Sequence, residues 1–313
     1  MRDRLALLFA SSALAAALFT VPKTAAGADT ASGTAAAPAA YRQEIEAWRQ
    51  SRLAGLKRED GWLTLVGLFW LEEGENRFGS DAGNRVVFPA GKAPAVAGSL
   101  ERHGNAVTVK ASPGTGLTTG GKPVAELLLR SDADGKPTVL ELGSLRFHVI
   151  QRGDWVGVRV KDLKSPQLAA FHGIDEFPVR PDWRVEARFE SYAPPKKIPI
   201  PNILGQVQDS PSPGAVIFER GGATYRLDAL SNGEDGSLFL IFADQTNGHD
   251  TYGAGRFLEA GAPKEGRVVV DFNKAYNPPC AFTSYATCPL PPRQNKLALR
   301  VEAGEKKYGQ GHP

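Results

Sequence analysis

The chain has 313 residues, with 37 basic side chains against 34 acidic ones, 42% hydrophobic residues and two cysteines. No basic block or basic face stands out, which excludes a nucleic-acid-binding polycation, and the length suits two domains or one large all-β domain.

The chain opens with MRDR, an apolar run LALLFASSALAAALF and a small-residue end at Ala26-Gly27-Ala28. The run holds about 15 residues where a membrane span needs roughly 20, so it predicts a secretory signal peptide over 1–28, cut near Ala28. An uncleaved anchor helix is the alternative. Arg2, Arg4 and Lys23 lie in this leader against Asp3, so the mature chain is closer to neutral. The expected location is periplasmic or secreted, with no transmembrane span in the mature chain. Residues 29–40, DTASGTAAAPAA, are too small and polar to build a core and predict a disordered linker.

Residues 41–60 follow as a helix. Tyr41, Ile45, Trp48, Arg52 and Leu56 recur at spacings of three and four, which is one amphipathic stripe. WLTLVGLFWL (62–71) is almost wholly apolar and predicts a buried strand or inter-domain plug; docking on a membrane or partner is the alternative. From there to residue 162, short β-rich runs separated by Gly, Asn, Asp and Pro predict a β-sandwich over 61–162. In LRFHVIQ, Leu145, Phe147 and Val149 share one face and Arg146 and His148 the other. His148 therefore reads as a half-exposed sheet residue.

Residues 163–313 predict a C-terminal antiparallel β domain, a meander that closes or half-closes into a barrel. WRVEARFESY (183–192) alternates at a strict period of two, and APPKKIPIPN reads as an extended crossover because its four prolines exclude a helix. AVIFE, TYRLDAL, SLFLIFAD, TYGAGRFL, RVVVDF and KLALRVE then read as strands joined by Gly- and Asn-rich turns.

FGSDAGNRVVFP (78–89) and GTGLTTGGKPV (114–124) resemble the opening and the Thr-Asn-Gly loop of forkhead-associated domains. Across 72–160 that resemblance implies a β-sandwich. Its phosphothreonine-reading arginine position holds Ser80, and Ser99 and His103 do not give the family's Ser-x-x-His spacing. Ser cannot make the bidentate charged contact that reads a phosphate, so phosphopeptide binding is not carried over. GWLTLVGLFWLEEGENRFGSD, RGDWVGVRVKD, TYGAGRFL and DFNKAYNPPCAFTSYATCPLPPRQNKL resemble the bacterial domain of unknown function 1684 family over roughly 43–307. That likeness implies membership without a chemistry.

Hydrolase elbows, zinc-protease helices, Walker loops and dinucleotide fingerprints are absent, and no cofactor or metal is predicted. Cys280 and Cys288, spaced C-x7-C, predict a disulfide in an oxidising compartment, with buried thiols as the alternative. Bridging so short a loop stabilises by roughly 2–3 kcal/mol in the chain-entropy picture. The surrounding loop, 271–292, is stiffened by prolines and carries Asn and Tyr side chains. Tyr252, Arg256, Asp271, Asn273, Tyr276 and Asn277 are accordingly the candidate ligand-binding residues, suited to a small polar ligand such as a sugar or peptide. The competing reading is that Asn273 and Asn277 bond their own loop's backbone. The favoured function is a non-catalytic binding or envelope-associated protein. The alternative is a hydrolase using Asp244, His249, Asp250 and Asp271 at the same strand ends.

Overall fold

The computed structural model describes residues 37–309; the predicted signal peptide and most of the linker lie outside the described residues. Helix α1 spans Ala39–Lys57, opening two residues before Tyr41 because Pro38 supplies the first acceptor, to the Arg42 N–H. Ile45 and Leu56 of its stripe are buried.

Two sheets then face each other. In spatial order, one runs Leu65–Trp70, Trp155–Asp162, Leu145–Arg152, Leu140–Leu142, Thr118–Thr119 and Lys122–Pro123. The other runs Val86–Val87, Gly74–Gly79, Gly98–His103, Ala106–Ala111 and Glu126–Leu129. Alternation sends Phe147, Val149, Val156, Val158 and Val160 into the core between them, with Phe78 and Phe88 from the facing layer. The apolar stretch at 62–71 is a 3₁₀ turn, Trp62–Thr64, followed by the strand Leu65–Trp70. Gly120 and Gly121, both at positive φ, turn the small hairpin that the forkhead-like loop forms.

The C-terminal sheet has six strands in the order Arg256–Ala260, Leu238–Phe242, Ala223–Ser231, Val207–Arg220, Arg184–Pro201 and Arg267–Asp271. Its two outermost strands are consecutive in sequence and joined only by residues 261–266, so the sheet curls into a half-barrel around Trp183, Phe242, Leu258 and Phe272. The proline-rich stretch is not a crossover. It belongs to the strand Arg184–Pro201, and past a register shift Lys196–Pro201 pairs with Val207–Ser212 as a projecting ribbon. Its other edge is free of a ladder, which is where strand prolines are tolerated. The tip of this ribbon is fastened to the cysteine loop. Ile203 N–H donates to the Cys288 carbonyl at 3.0 Å and Leu290 N–H to the Pro201 carbonyl at 2.7 Å.

KLALRVE is not a strand either, apart from one bridge between Ala243 and Lys296. Fully buried Arg256 donates to the Val301 and Ala303 carbonyls, and Asp244 accepts from the Val301 N–H. Side chains here do the work of a neighbouring strand. A third apolar cluster joins Leu56, Leu63, Ile198, Ile241, Phe257, Phe282 and both cysteines, so the loop 271–292 is packed rather than displayed. No helix among the described residues is long and apolar enough to cross a membrane.

Candidate functional site

Five of the six residues predicted to bind ligand are bonded to other parts of the chain. Asp271 accepts from the Tyr41 hydroxyl of α1 at 2.8 Å, and Asn273 brackets Arg180, accepting from its N–H at 2.9 Å and donating to its carbonyl at 2.8 Å. Asn277 donates to the Lys306 carbonyl at 2.7 Å, and Arg256 pairs with Asp244 at 2.8 Å with both side chains fully buried. Tyr276 donates to Glu259 at 3.0 Å and lies under the Arg52 guanidinium. Tyr252 packs in the cysteine-loop cluster. The asparagines hold backbone, as the competing reading has it, although the backbone belongs to remote segments rather than to their own loop.

The carboxylates of the hydrolase set are engaged in the same way. Asp244 is spent on Arg256 and Thr246, Asp250 on Arg300 at 2.7 Å, and Asp271 on Tyr41. His249 sits in the tight turn between Thr246 and Thr251. Among the described residues no cluster of three His, Cys, Asp or Glu is gathered as a metal set.

The predicted disulfide is not formed in this structure. Cys280 and Cys288 are buried thiols, and each Sγ accepts the other's backbone N–H, at 3.1 and 3.4 Å. Their mutual hydrogen bond holds the Cys280 thiol below its usual value and pushes that of Cys288 up, with burial adding to the rise.

The structure does build a cleft that the sequence reading missed, against the outer face of the hairpin 145–162. The tight turn at Gly153-Asp154 sets the register, so Arg146 stands opposite Lys161 and His148 opposite Arg159. Like charges directly across a ladder repel. Most of them find partners. Arg152 pairs with Asp132 at 2.8 Å and donates to the Thr287 hydroxyl at 3.2 Å. Arg146 donates to the Gly143 carbonyl and Lys161 to that of Asp60.

Arg159 is the exception. It is 7% exposed, its Nε has no hydrogen-bond partner, and no described carboxylate lies within ion-pair distance of it. Its guanidinium rests 5.1 Å from the centre of the Trp62 ring. Gly157, two residues earlier, has no room for a side chain because the Trp70 ring occupies it. The electrostatic signature is that of cations short of an anion. Burial, then Arg159 and Lys161, press His148 down to about 4. Burial and Arg152 lower Arg159 to about 10, and burial and Arg159 lower Lys161 to about 8.

Arg159 lines a cleft of about 430 Å³ between this hairpin, the C-terminal sheet and the ribbon. Trp62, Ile200, Leu230, Phe239, Ile241, Phe257, Pro279 and Pro289 form its apolar walls, and Cys288 is part of them. Arg152, Asn202 and Gln208 line both it and a neighbouring cleft of about 680 Å³. A concave, mainly apolar site with a few polar groups is the usual form of a small-molecule site.

Residues 169–306 match the profile of a family described as a protein of unknown function, DUF1684. The stretch 169–306 belongs to this family. The matched stretch is shorter than the likeness read from the sequence and covers the half-barrel, the ribbon and the cysteine loop, hence one side of the cleft. The chain is similar, at 30% identity, to an uncharacterised protein from gene locus rrnAC0354 of Haloarcula marismortui, solved by NMR. That likeness covers 45% of this chain and 80% of the other, with a TM-score of 0.38.

Two structures of forkhead-associated domains also match, each at 20% identity and a TM-score of 0.22. One comes from work on phosphothreonine-dependent interactions, and the other is FhaA complexed with the intracellular domain of Rv3910. They cover 31% and 30% of this chain and 96% and 97% of their own. Here the Ser80 hydroxyl turns inward to the Ala93 carbonyl at 2.9 Å. No protein with a curated description matches the chain.

Proposed function

We propose that this chain is an exported, non-catalytic binding protein whose small ligand carries negative charge and occupies the cleft beside Arg159. One observation carries the reading: a guanidinium buried without a counter-charge. Burying a charge costs several kcal/mol unless it is paired; Arg159 has the Trp62 ring beside it, and the nearby acid, Asp132, is already paired with Arg152. A ligand anion supplies the missing partner.

Export rests on the leader-like sequence at 1–28 and the C-x7-C pair. In an oxidising compartment Cys280 and Cys288 should close into a disulfide, since their reciprocal N–H to Sγ bonds set the two sulfurs side by side. Thiol titration of native material should find no reactive thiols before reduction and two after, and mass spectrometry should find an N-terminus near residue 29. An intact leader with two free thiols would overturn the export reading. Nothing about the engaged groups Asp244, Asp250 and Asp271 favours turnover over binding.

The binding reading is tested by thermal shift of the full chain against anionic and neutral small molecules, with Arg159→Met beside the wild type. Anions should raise the wild-type melting temperature by a few degrees at saturating concentration. The variant should lose that response yet be the more stable apo protein, by about 1–3 kcal/mol, because an uncompensated charge is gone. If the variant is destabilised and keeps its response, Arg159 is structural and the reading fails.

A further inference from the structure

We infer that the cleft takes a monocarboxylate with an apolar body, its carboxylate on the Arg159 guanidinium and its hydrocarbon against Leu230, Phe239, Pro279 and Pro289; this rests on the cleft being the binding site. The charge balance comes first. Arg152 also faces the cleft, but Asp132 at 2.8 Å meets its charge and its Nε is spent on Thr287. Arg159 is thus the one cleft cation without a partner among the described residues. One negative charge balances it. A phosphate monoester carries closer to two at neutral pH and would leave an excess charge beside Arg159.

The geometry agrees. The Arg159 guanidinium carbon stands over the Trp62 ring, 5.1 Å from its centre, and a guanidinium presents its N–H donors as a planar fork. That planar fork matches the two oxygens of a carboxylate. Asn202, Gln208, Ser210 and Thr287 are the neutral polar residues of the lining, and the rest of the wall is apolar. Phe239 and Phe257 stand edge-to-face at 4.9 Å, and Ile241 is 1% exposed beside them. Sugar hydroxyls set against these rings would lose water without gaining partners. An aliphatic or aryl chain buries apolar area instead, chiefly on the half-buried Leu230, Phe239, Pro279 and Pro289, in a volume of about 430 Å³.

The test is calorimetric titration of the full chain with sodium octanoate, octan-1-ol and octyl phosphate, repeated on Arg159→Gln and on Leu230→Trp, which fills the cleft. Octanoate should bind with a negative heat-capacity change, octanol at least about 10-fold more weakly, and octyl phosphate no more tightly than octanoate. Arg159→Gln should weaken octanoate about 10- to 100-fold and leave octanol unchanged. Leu230→Trp should abolish binding of all three while the far-ultraviolet spectrum stays native. Tighter binding of octyl phosphate, still lost in Arg159→Gln, would overturn the carboxylate and leave the anion site standing. Equal binding of octanol and octanoate, indifferent to Arg159→Gln, would overturn both. Octanoate binding that survives Leu230→Trp would place the ligand elsewhere, and a failure of octanoate to bind the wild type would end the inference.

Discussion

Two arginines among the described residues are almost wholly buried, and their surroundings are opposite. Arg256 is enclosed by Asp244 and a cage of backbone carbonyls, so its charge is part of the architecture. Removing it in Arg256→Met leaves Asp244 buried without a counter-charge and should cost about 3–5 kcal/mol by chemical denaturation. The same replacement at Arg159 should be neutral or stabilising, and that opposite sign separates a scaffold charge from a site charge. His148 carries a second signature. Its folded value, about 4, lies below the ordinary imidazole value, so between these two the unfolded chain holds the extra proton. Stability should therefore rise as pH increases from about 4 to about 6.5, and His148→Phe should flatten that slope in melts across the range. A slope unchanged in the variant would place the titration on another group.

Among the elements, the regular ones were legible because their periods are simple. The helix stripe at Ile45 and Leu56, the inward faces of 145–151 and 155–160, and the meander turned by glycine and asparagine all follow from spacing. Elements that depend on distant partners were not. The ribbon at 196–201 pairs despite its prolines because only one of its edges carries a ladder, and 296–302 is held by scattered backbone bonds to Ala243 and Gln245 together with the side chains of Arg256 and Asp244. The asparagines of the cysteine loop looked like ligand donors because a sequence gives no sign of which remote backbone they hold. Arg159 did leave a trace: a two-residue turn at Gly153-Asp154 fixes a register that sets Arg and Lys, and His and Arg, face to face with no acid among them. What the hairpin alone could not show is that another part of the chain covers that face. Helix α1 offers a further test of such remote bonds. Arg52 meets buried Glu305 at 3.0 Å and the Asn277 carbonyl at 2.9 Å. Burial already holds the Glu305 carboxyl above its usual range. In Arg52→Ala, Glu305 loses its counter-charge, so the loss of stability should reach about 3–5 kcal/mol near neutral pH and shrink as the carboxyl protonates on acidification. A loss that does not vary with pH would show that Arg52 acts through packing alone.

At the scale of the whole molecule, the described residues 37–309 cluster as one unit, yet its apolar interior is divided among three clusters. The third, which includes Leu56 of α1, Leu63 and Cys288, joins segments more than two hundred residues apart in sequence. Heating should accordingly give a single calorimetric transition; two resolved peaks would mean that the sandwich and the half-barrel melt independently. The cleft draws its walls from both, which is why no one stretch of sequence announced it. The tie between the tip of the ribbon and the Cys288 carbonyl adds a kinetic consequence. Both the ribbon and the sulfur-bearing segment border the cavity, so crosslinking that segment stiffens two of its sides together. Once the thiols have been oxidised, bound molecules should escape slowly; adding dithiothreitol should quicken their departure in a stopped-flow displacement measurement while the equilibrium affinity stays nearly constant.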